Sequence, residues 1–581
     1  HVESVGDGST QTSVWWGSAR MSPAAQLQLP KVLDDIVELK GGMDQMTPTL
    51  KLAPGVCRRS LNFEAAINSG YTRIAGYERY SGKTSPSSVT FKLLPIIPAG
   101  PNEPGVGATL VGSSSGTTAL VIALGGSFVI GSVGTYAIVT QTLGSGFQEG
   151  EIVSVVSGPI IGAIGPQTVT LSKTLKKQYV NLAADVYRAL IAAVPGVGPV
   201  RGVFGATFDG VFSIYALRDV DSDPPGQLCN LYKSTVGGWV TVHSAGLWDE
   251  TNFKNGGPAP ILDGTVEASN ANIIAYRVVL TSGSWAALTA TGKIIYKILS
   301  GGSLAPGVTY NFGGTAITAL DITDLGTGAG DGRLVGGGTY EFVSENFYGQ
   351  IGTKRVYACD GVNRAWEFDG NRLVPIDIGG VFVQRGGLIP THLVAHQHHL
   401  FFAVGSSIIH SGVGEPFNLT AGAGAGEHAS GDTVTGFMIL PGVQASGALA
   451  VMARNHTKIL YGTALAGPEP FDLVSFETET GAVPFTIQKL DRVYYLDDRG
   501  VIDLKTAQDY GNFTSATLTR YIQKFINIKH ARAVCSTINR TKGQYRIFFN
   551  DGAALFMTFD NGKLRGPMPI AFPTPMSCAW S

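Results

Sequence analysis

The chain is short of charge, of cysteine, of long apolar runs and of any recognisable catalytic motif. Asp, Glu, Lys and Arg make up only 15 % of the 581 residues. Helix-rich chains carry far more Glu, Lys and Arg, so a mainly helical protein is not expected. The 42 basic and 43 acidic residues leave a net charge of −1. A protein that grips DNA through its phosphates needs a basic face, and this balance argues against one. The five cysteines, Cys57, Cys229, Cys359, Cys535 and Cys578, are far apart, odd in number and without CxxC spacing. That pattern opposes a disulfide framework or a zinc site and fits free, mostly buried thiols in a chain folded in a reducing cytoplasm. Mean hydropathy is +0.16, but the densest apolar run, Ala119 to Leu124, is far too short to span a bilayer. The first residues show no basic start followed by an apolar core, so no secretory signal is expected, and His1 suggests a processed or truncated start. There is no HExxH and no complete Gly-x-x-x-x-Gly-Lys-Ser/Thr phosphate loop. Enzymatic activity is not expected.

What the chain has is glycine, 77 residues of it, with abundant Val, Thr, Ile and Ser. This is the composition of many short strands joined by tight turns. Residues 1–40 read as an extended arm, and 41–97 as the first alternating strands of a scaffold. Between Pro101 and Leu171 the only charged residues are Glu103, Glu149 and Glu151, which sets off 98–171 as an inserted β-domain. In 172–254 a helix is expected over Lys173–Ala193, with Leu175, Tyr179, Leu182, Val186 and Leu190 on one face and Pro195-Gly196 as its stop. Strands turning at Asp209-Gly210 follow it. Residues 255–335 read as a second inserted β-domain. From 336 to 581 one pattern recurs: strand, tight turn, strand, with turns at Asp360-Gly361, Gly405, Asn455, Asp498-Arg499-Gly500, Asp551-Gly552 and Asn561-Gly562. Successive hairpins without intervening helices are what the blades of a β-propeller require. The expected fold is all-β: an irregular β-propeller scaffold with small inserted β-domains and one notable helix, a double β-sandwich being the alternative.

No catalytic, cofactor-binding or metal-ligating residue is assigned. The densest candidate is His392, His396, His398, His399 and His410, since imidazoles are common metal ligands. Read as the start of a strand, the run puts His396 and His398 on one face and His399 on the other. No Asp, Glu or Cys in the run completes a ligand set, so surface or interface histidines are expected. Carboxylates also gather at Asp497-Asp498, at Glu477 with Glu479, and at Asp219-x-Asp221-x-Asp223. Sequence cannot show the opposed geometry a glycosidase needs, and the Asp219 run resembles the start of a calcium loop but lacks its Gly and terminal Glu. The Asp219 run reads as a polar turn. Gly422, Gly424 and Gly426 read as a flexible loop.

Two blocks carry a family resemblance. The first runs from Gly42-Met43-Asp44-Gln45-Met46-Thr47-Pro48-Thr49 through Pro54-Gly55 to Asn62 or Asn68, Gly76 and Arg79. The second is Val194-Pro195-Gly196-Val197-Gly198-Pro199-Val200-Arg201-Gly202, closed after a turn by Tyr215-Ala216-Leu217-Arg218-Asp219, with Leu231-Tyr232-Lys233-Ser234 and Gly238-Trp239 beyond. Together they resemble the tail nozzle, or B-type tail tubular, proteins of short-tailed bacteriophages. The similarity covers about residues 41–97, 172–250 and 336–581. It implies a structural virion protein of the phage tail, made in the host cytoplasm. Such proteins form a ring of usually six copies below the portal–adaptor complex. That ring meets adaptor proteins and tail fibres or spikes, and passes DNA through its channel without sequence-specific binding. No cofactor is implied. Two rivals stand beside this reading: a receptor- or glycan-binding spike or fibre component, and a carbohydrate-active propeller enzyme.

Overall fold

A computed structural model describes residues 38–581 apart from 69, 90, 99–102, 125–134, 149, 159, 162–166, 170–172, 175–183, 221–227, 244–248, 257–264, 269–270, 303, 313–314, 325–333, 350–351, 379–388, 441–446, 463–470, 478 and 507–512. The expected arm over residues 1–40 lies almost wholly outside the described residues.

Six four-stranded sheets follow one another, and in each the strands pair antiparallel in chain order. Blade 1 is Val200–Phe208, Val211–Asp219, Cys229–Thr235 and Gly238–His243. Blade 2 is Glu341–Glu345, Arg355–Cys359, Trp366–Phe368 and Leu373–Pro375. Blade 3 is His392–His396, His399–Val404, Ser407–His410 and Gly426–Ala429. Blade 4 is Val434–Ile439, Leu449–Ala453, Thr457–Gly462 and Phe471–Glu477. Blade 5 is Gln488–Lys489, Val493–Asp497, Gly500–Thr506 and Phe513–Thr517, and blade 6 is Ala533–Asn539, Gln544–Phe549, Ala553–Asp560 and Lys563–Ala571. The fold is all-β and propeller-like.

In blades 4 and 5 the second strand is covered on both faces, which is why it reads as a nearly continuous apolar run rather than as an alternation. Leu449–Ala453 and Val493–Asp497 are buried at every residue. Phe204, Leu217, Trp366 and Phe368 join blades 1 and 2. Phe401, Ile408, Phe437 and Leu449 join blades 3 and 4. Met452, Ile459, Tyr495 and Leu504 join blades 4 and 5, and Tyr494, Leu496, Tyr545 and Leu555 join blades 5 and 6. Burying one such side chain contributes about 1.5–3 kcal/mol.

The turns follow their chemistry. Asp209 (φ 50°) and Gly210 (φ 77°) link Phe208 to Val211, and Asn561 (φ 47°) and Gly562 (φ 72°) link Asp560 to Lys563, as two-residue hairpins with both φ positive require.

A seven-stranded sheet spans Phe91–Thr174 and a second spans Asp249–Asp324. The expected helix over Lys173–Ala193 is corrected. Lys173 and Thr174 pair as a strand with Leu93 and Lys92, residues 175–183 are not described, and the helix occupies 184–189. Of the apolar pattern, Leu175, Tyr179 and Leu182 lie outside the described residues. Tyr187 and Ile191 still face inward, against Phe91 and Ile122 of the first inserted sheet. A helix at Gln523–Lys529 was not foreseen. It buries Ile526 between blades 5 and 6.

The seam between blades 6 and 1 is built differently from the others. Residues 41–65 lie along the last strand of blade 6: the amides of Gly41 and Met43 donate to the carbonyls of Arg565 and Pro567, and the Ala571 amide donates to Asn62 Oδ1. The same segment reaches blade 1, where Trp239 Nε1 donates to the Tyr80 carbonyl at 3.1 Å. On the other side, residues 572–581 leave blade 6. Ser577 Oγ donates to the Val200 carbonyl, and Trp580 stacks near Phe212 at 6.2 Å between ring centroids. The Trp580 indole lies directly on Gly205, where any Cβ would collide with it.

Gly205→Val should therefore displace Trp580 and destabilise the chain by about 1–3 kcal/mol. Trp580→Ala in that background should add little. Denaturant unfolding of the two single variants and the double variant measures this, and full additivity contradicts the contact.

Candidate functional site

The first strands of blades 1, 2, 4, 5 and 6 line one cavity of ≈ 490 Å³. Its walls include Phe342, Met438, Phe485, Lys489, Arg540 and Trp580. The blade 5 side is fixed by hydrogen bonds from blade 6. Gln488 Nε2 donates to the Ser536 carbonyl at 3.1 Å, Ser536 Oγ to the Phe485 carbonyl at 3.0 Å, and Tyr545 Oη to the Thr486 carbonyl at 2.5 Å. These bonds hold Phe485 at φ 61°, a left-handed conformation that is strained for a bulky side chain. Across the cavity, His392 Nδ1 lies 2.8 Å from Glu341 Oε2, and the His392 ring lies 5.0 Å from that of Phe485. Burial, and then the neighbouring Arg540 charge, lower the Lys489 pKa.

A second polar centre is closed. Glu367, on the third strand of blade 2, has no exposed surface. Its Oε1 accepts from Tyr276 Oη (2.9 Å) and Arg277 Nη2 (3.1 Å), and its Oε2 from Tyr348 Oη (2.8 Å) and Tyr357 Oη (2.6 Å). Tyr276 and Arg277 come from the second inserted sheet. Its register shifts between Ala275 and Arg277, leaving Tyr276 as the extra residue. A β-bulge re-aims side chains, so consecutive residues reach one carboxylate. Burial, with the Glu367 charge behind it, pushes the Tyr276, Tyr348 and Tyr357 hydroxyls far above their usual range. They act as neutral donors. The cluster fastens the inserted sheet to blade 2.

The histidines need correction on two points. Four of the five are not on the surface: His392, His396, His399 and His410 are 4, 6, 1 and 2 % exposed, while His398 is exposed as expected. Nor do His396 and His398 share a strand face. Gln397 (φ 50°) and His398 (φ 60°) form the turn of a hairpin in which His396 pairs with His399. The rings of His399, His410 and His428 sit with Phe401 around Phe471. His399 Nδ1 donates to the Ser411 carbonyl at 2.5 Å, while the Nε2 atoms of His396 and His399 are buried without a partner. Burial, then the neighbouring imidazole of His399, depresses His396 to about 4 and His410 to about 3, and burial also lowers His399. Among the described residues no group of three or more His, Cys, Asp or Glu is arranged to hold a metal ion.

Asp219 is also corrected from polar turn to buried strand end. It accepts from Arg201 Nε at 2.7 Å, and Arg218 Nε donates to the Gly198 carbonyl at 2.7 Å. This explains the Val194–Gly202 run: side chains at Gly196 or Gly198 would strike Asp219, so the glycines let the chain close over the Arg201–Asp219 pair. Asp221 and Asp223 lie outside the described residues. Asp497 is buried beside Arg499, while Asp498 meets Arg454. The side chain of Glu477 is not described, and Glu479 is exposed. Instead of a loop, Ala421–Ala423 is a 3-10 turn, Gly424 takes φ 85°, and Gly426 begins a strand opposite His410. All five cysteines are free. Burial pushes Cys535 up to about 12 and Cys578 to about 11, so neither is a ready thiolate. Sequence reading missed Glu367, Lys489, Arg540 and Phe485. Nothing local marks them, because their partners lie in other blades.

No family model matches this chain, and no curated protein matches it. Among solved structures it is similar to BBS1N, seen in a crystal structure with ARL6DN soaked with lead. The match has 13 % identity, covers 41 % of this chain and 82 % of that one, and has a TM-score of 0.22. At that score the likeness carries no argument.

Two outcomes are expected. Glu367→Ala should cost about 3–5 kcal/mol, because it leaves the Arg277 guanidinium, 15 % exposed, without its carboxylate. Calorimetric unfolding checks this, and a change below about 1 kcal/mol contradicts it. The histidines set an acid limit. Their folded pKa lies below the unfolded value of 6.5, so the unfolded chain binds more protons between the two. Their contribution is complete above about pH 6.5 and is lost as pH falls toward 4 and 3. His396→Leu with His410→Phe should flatten the stability–pH slope between pH 6.5 and 4, read from denaturation midpoints.

Proposed function

We propose that this protein is a structural subunit of a phage tail nozzle: a ring, of six copies, set below a portal–adaptor complex, whose axial channel retains and then ejects DNA. The observation that carries this reading is the run Val194–Gly202 with Arg218-Asp219, which resembles the tail nozzle proteins. Its residues occupy one interlocked corner of blade 1, where Arg201 pairs with Asp219 over two obligatory glycines. The near-zero net charge suits a wall along which DNA slides.

The DNA path in this reading runs between subunits and not along the axis of one propeller. A cavity of ≈ 490 Å³ walled by Trp580 and Phe485 cannot admit a duplex whose major groove alone is about 12 Å wide. Lateral packing of copies has apolar material available. Val211, Phe212, Val236 and Val240 of blade 1 are 60, 58, 87 and 53 % exposed, a grouping that suits protein contact. The role is structural, with adaptor proteins and tail fibres or spikes as neighbours.

Light scattering and negative-stain imaging of the protein, alone and mixed with its portal–adaptor complex, test this. A six-fold collar with an open axial channel is expected. A monomer indifferent to the complex, or a three-fold elongated particle, overturns the reading and favours a receptor-binding component.

A further inference from the structure

We propose that the cavity on the propeller axis is a binding site for a small organic phosphate with a planar ring, of the size of a nucleoside monophosphate. Three observations carry it. First, Lys489 and Arg540 face the cavity together. Among the described residues neither has a carboxylate within ion-pair distance, whereas most arginines of the blades do, such as Arg201, Arg364, Arg492 and Arg499. Two like charges lining one partly enclosed space, Lys489 half-buried and Arg540 exposed, are joined favourably by an anion. A phosphate monoester, with close to two negative charges at neutral pH, matches the pair, and the guanidinium supplies a planar fork for its oxygens. Burial first, and the Arg540 charge second, lower the Lys489 pKa in the absence of an anion.

Second, the wall sets apolar and aromatic side chains, Phe342, Phe485, Met438 and Trp580, beside polar ones that include Glu341, Gln488 and Thr537. Trp580 keeps 43 % of its surface exposed, so its indole is open to stacking. Base–aromatic stacking is worth about 1–3 kcal/mol and tolerates any base. The volume, ≈ 490 Å³, falls in the range of small-molecule sites, about 300–1,000 Å³. Third, the wall is preorganised at a cost. Phe485 is held at φ 61° by hydrogen bonds from Ser536 and Tyr545 to the carbonyls of residues 485 and 486. Such over-determined strain gathers at ligand clamps. Bare inorganic phosphate would use only the cations, and a bare nucleoside only the aromatics.

The test is isothermal titration of the whole chain with AMP, with inorganic phosphate and with adenosine. One saturable AMP site is expected, with phosphate and adenosine each binding at least tenfold more weakly. Lys489→Met and Arg540→Gln should each weaken AMP at least tenfold while leaving the thermal midpoint in ligand-free buffer within a degree or two, which separates lost binding from lost folding. The proposal is overturned if folded wild type shows no saturable AMP binding at millimolar concentration, if phosphate binds as well as AMP, or if both variants bind AMP unchanged. The subunit's ring-forming behaviour plays no part in this measurement, so the two readings succeed or fail separately.

Discussion

Closing the ring is the constraint on which the rest of this fold depends. A blade covered on both faces is stable only between neighbours, so six blades need a sixth seam as good as the other five. Five seams are made by side chains of adjacent sheets interdigitating. The sixth is bound by two segments from outside the sheets. Residues 41–82 run from the edge of blade 6 to the edge of blade 1, and residues 572–581 cross between the same blades on the other side. The Trp580–Gly205 contact shows how closely the two must fit, since the strand gives up a side chain to admit the indole.

The same economy explains the inserted sheets. Each has its own apolar core, Leu94, Leu110 and Val121 in one and Phe253, Ile294 and Tyr296 in the other. Each is then fixed to the scaffold by a small set of contacts. For the second sheet this is a buried carboxylate satisfied four times over, at the end of a bulge that turns two consecutive residues toward it. Burying an ion costs several kcal/mol, and only a complete donor set offsets that, which makes the Glu367 cluster specific to one docking geometry.

Much of this architecture was legible in the sequence wherever local chemistry decides. Asp-Gly and Asn-Gly turns require positive φ at both residues, and they placed the hairpins at 209–210 and 561–562. Poverty in charge marks residues 98–171, whereas the sheet there takes in strands from Phe91 to Thr174. Reading failed where distant packing decides. Strand alternation sorts faces only when one face meets water. With both faces buried, the histidines of blade 3 gave no sign of their environment, and the turn at Gln397-His398 carries no glycine to announce it. The helix at Gln523–Lys529 is short and lacks a side-chain cap. Glu367 depends on Tyr276, 91 positions away. The two cations of the axial cavity meet only because blades 5 and 6 are adjacent.

In the proposed assembly the conduit would be a channel between subunits, because the cavity within each propeller is only ligand-sized. The most direct measurement is cryo-electron microscopy of the protein bound to its portal–adaptor complex on DNA-filled particles, locating duplex density relative to the blades. The account predicts a rod of density on the axis of a six-fold ring, outside every propeller, with the intra-subunit cavities too narrow to contain it. Duplex density threading a single propeller, or no ring at the tail, would contradict it.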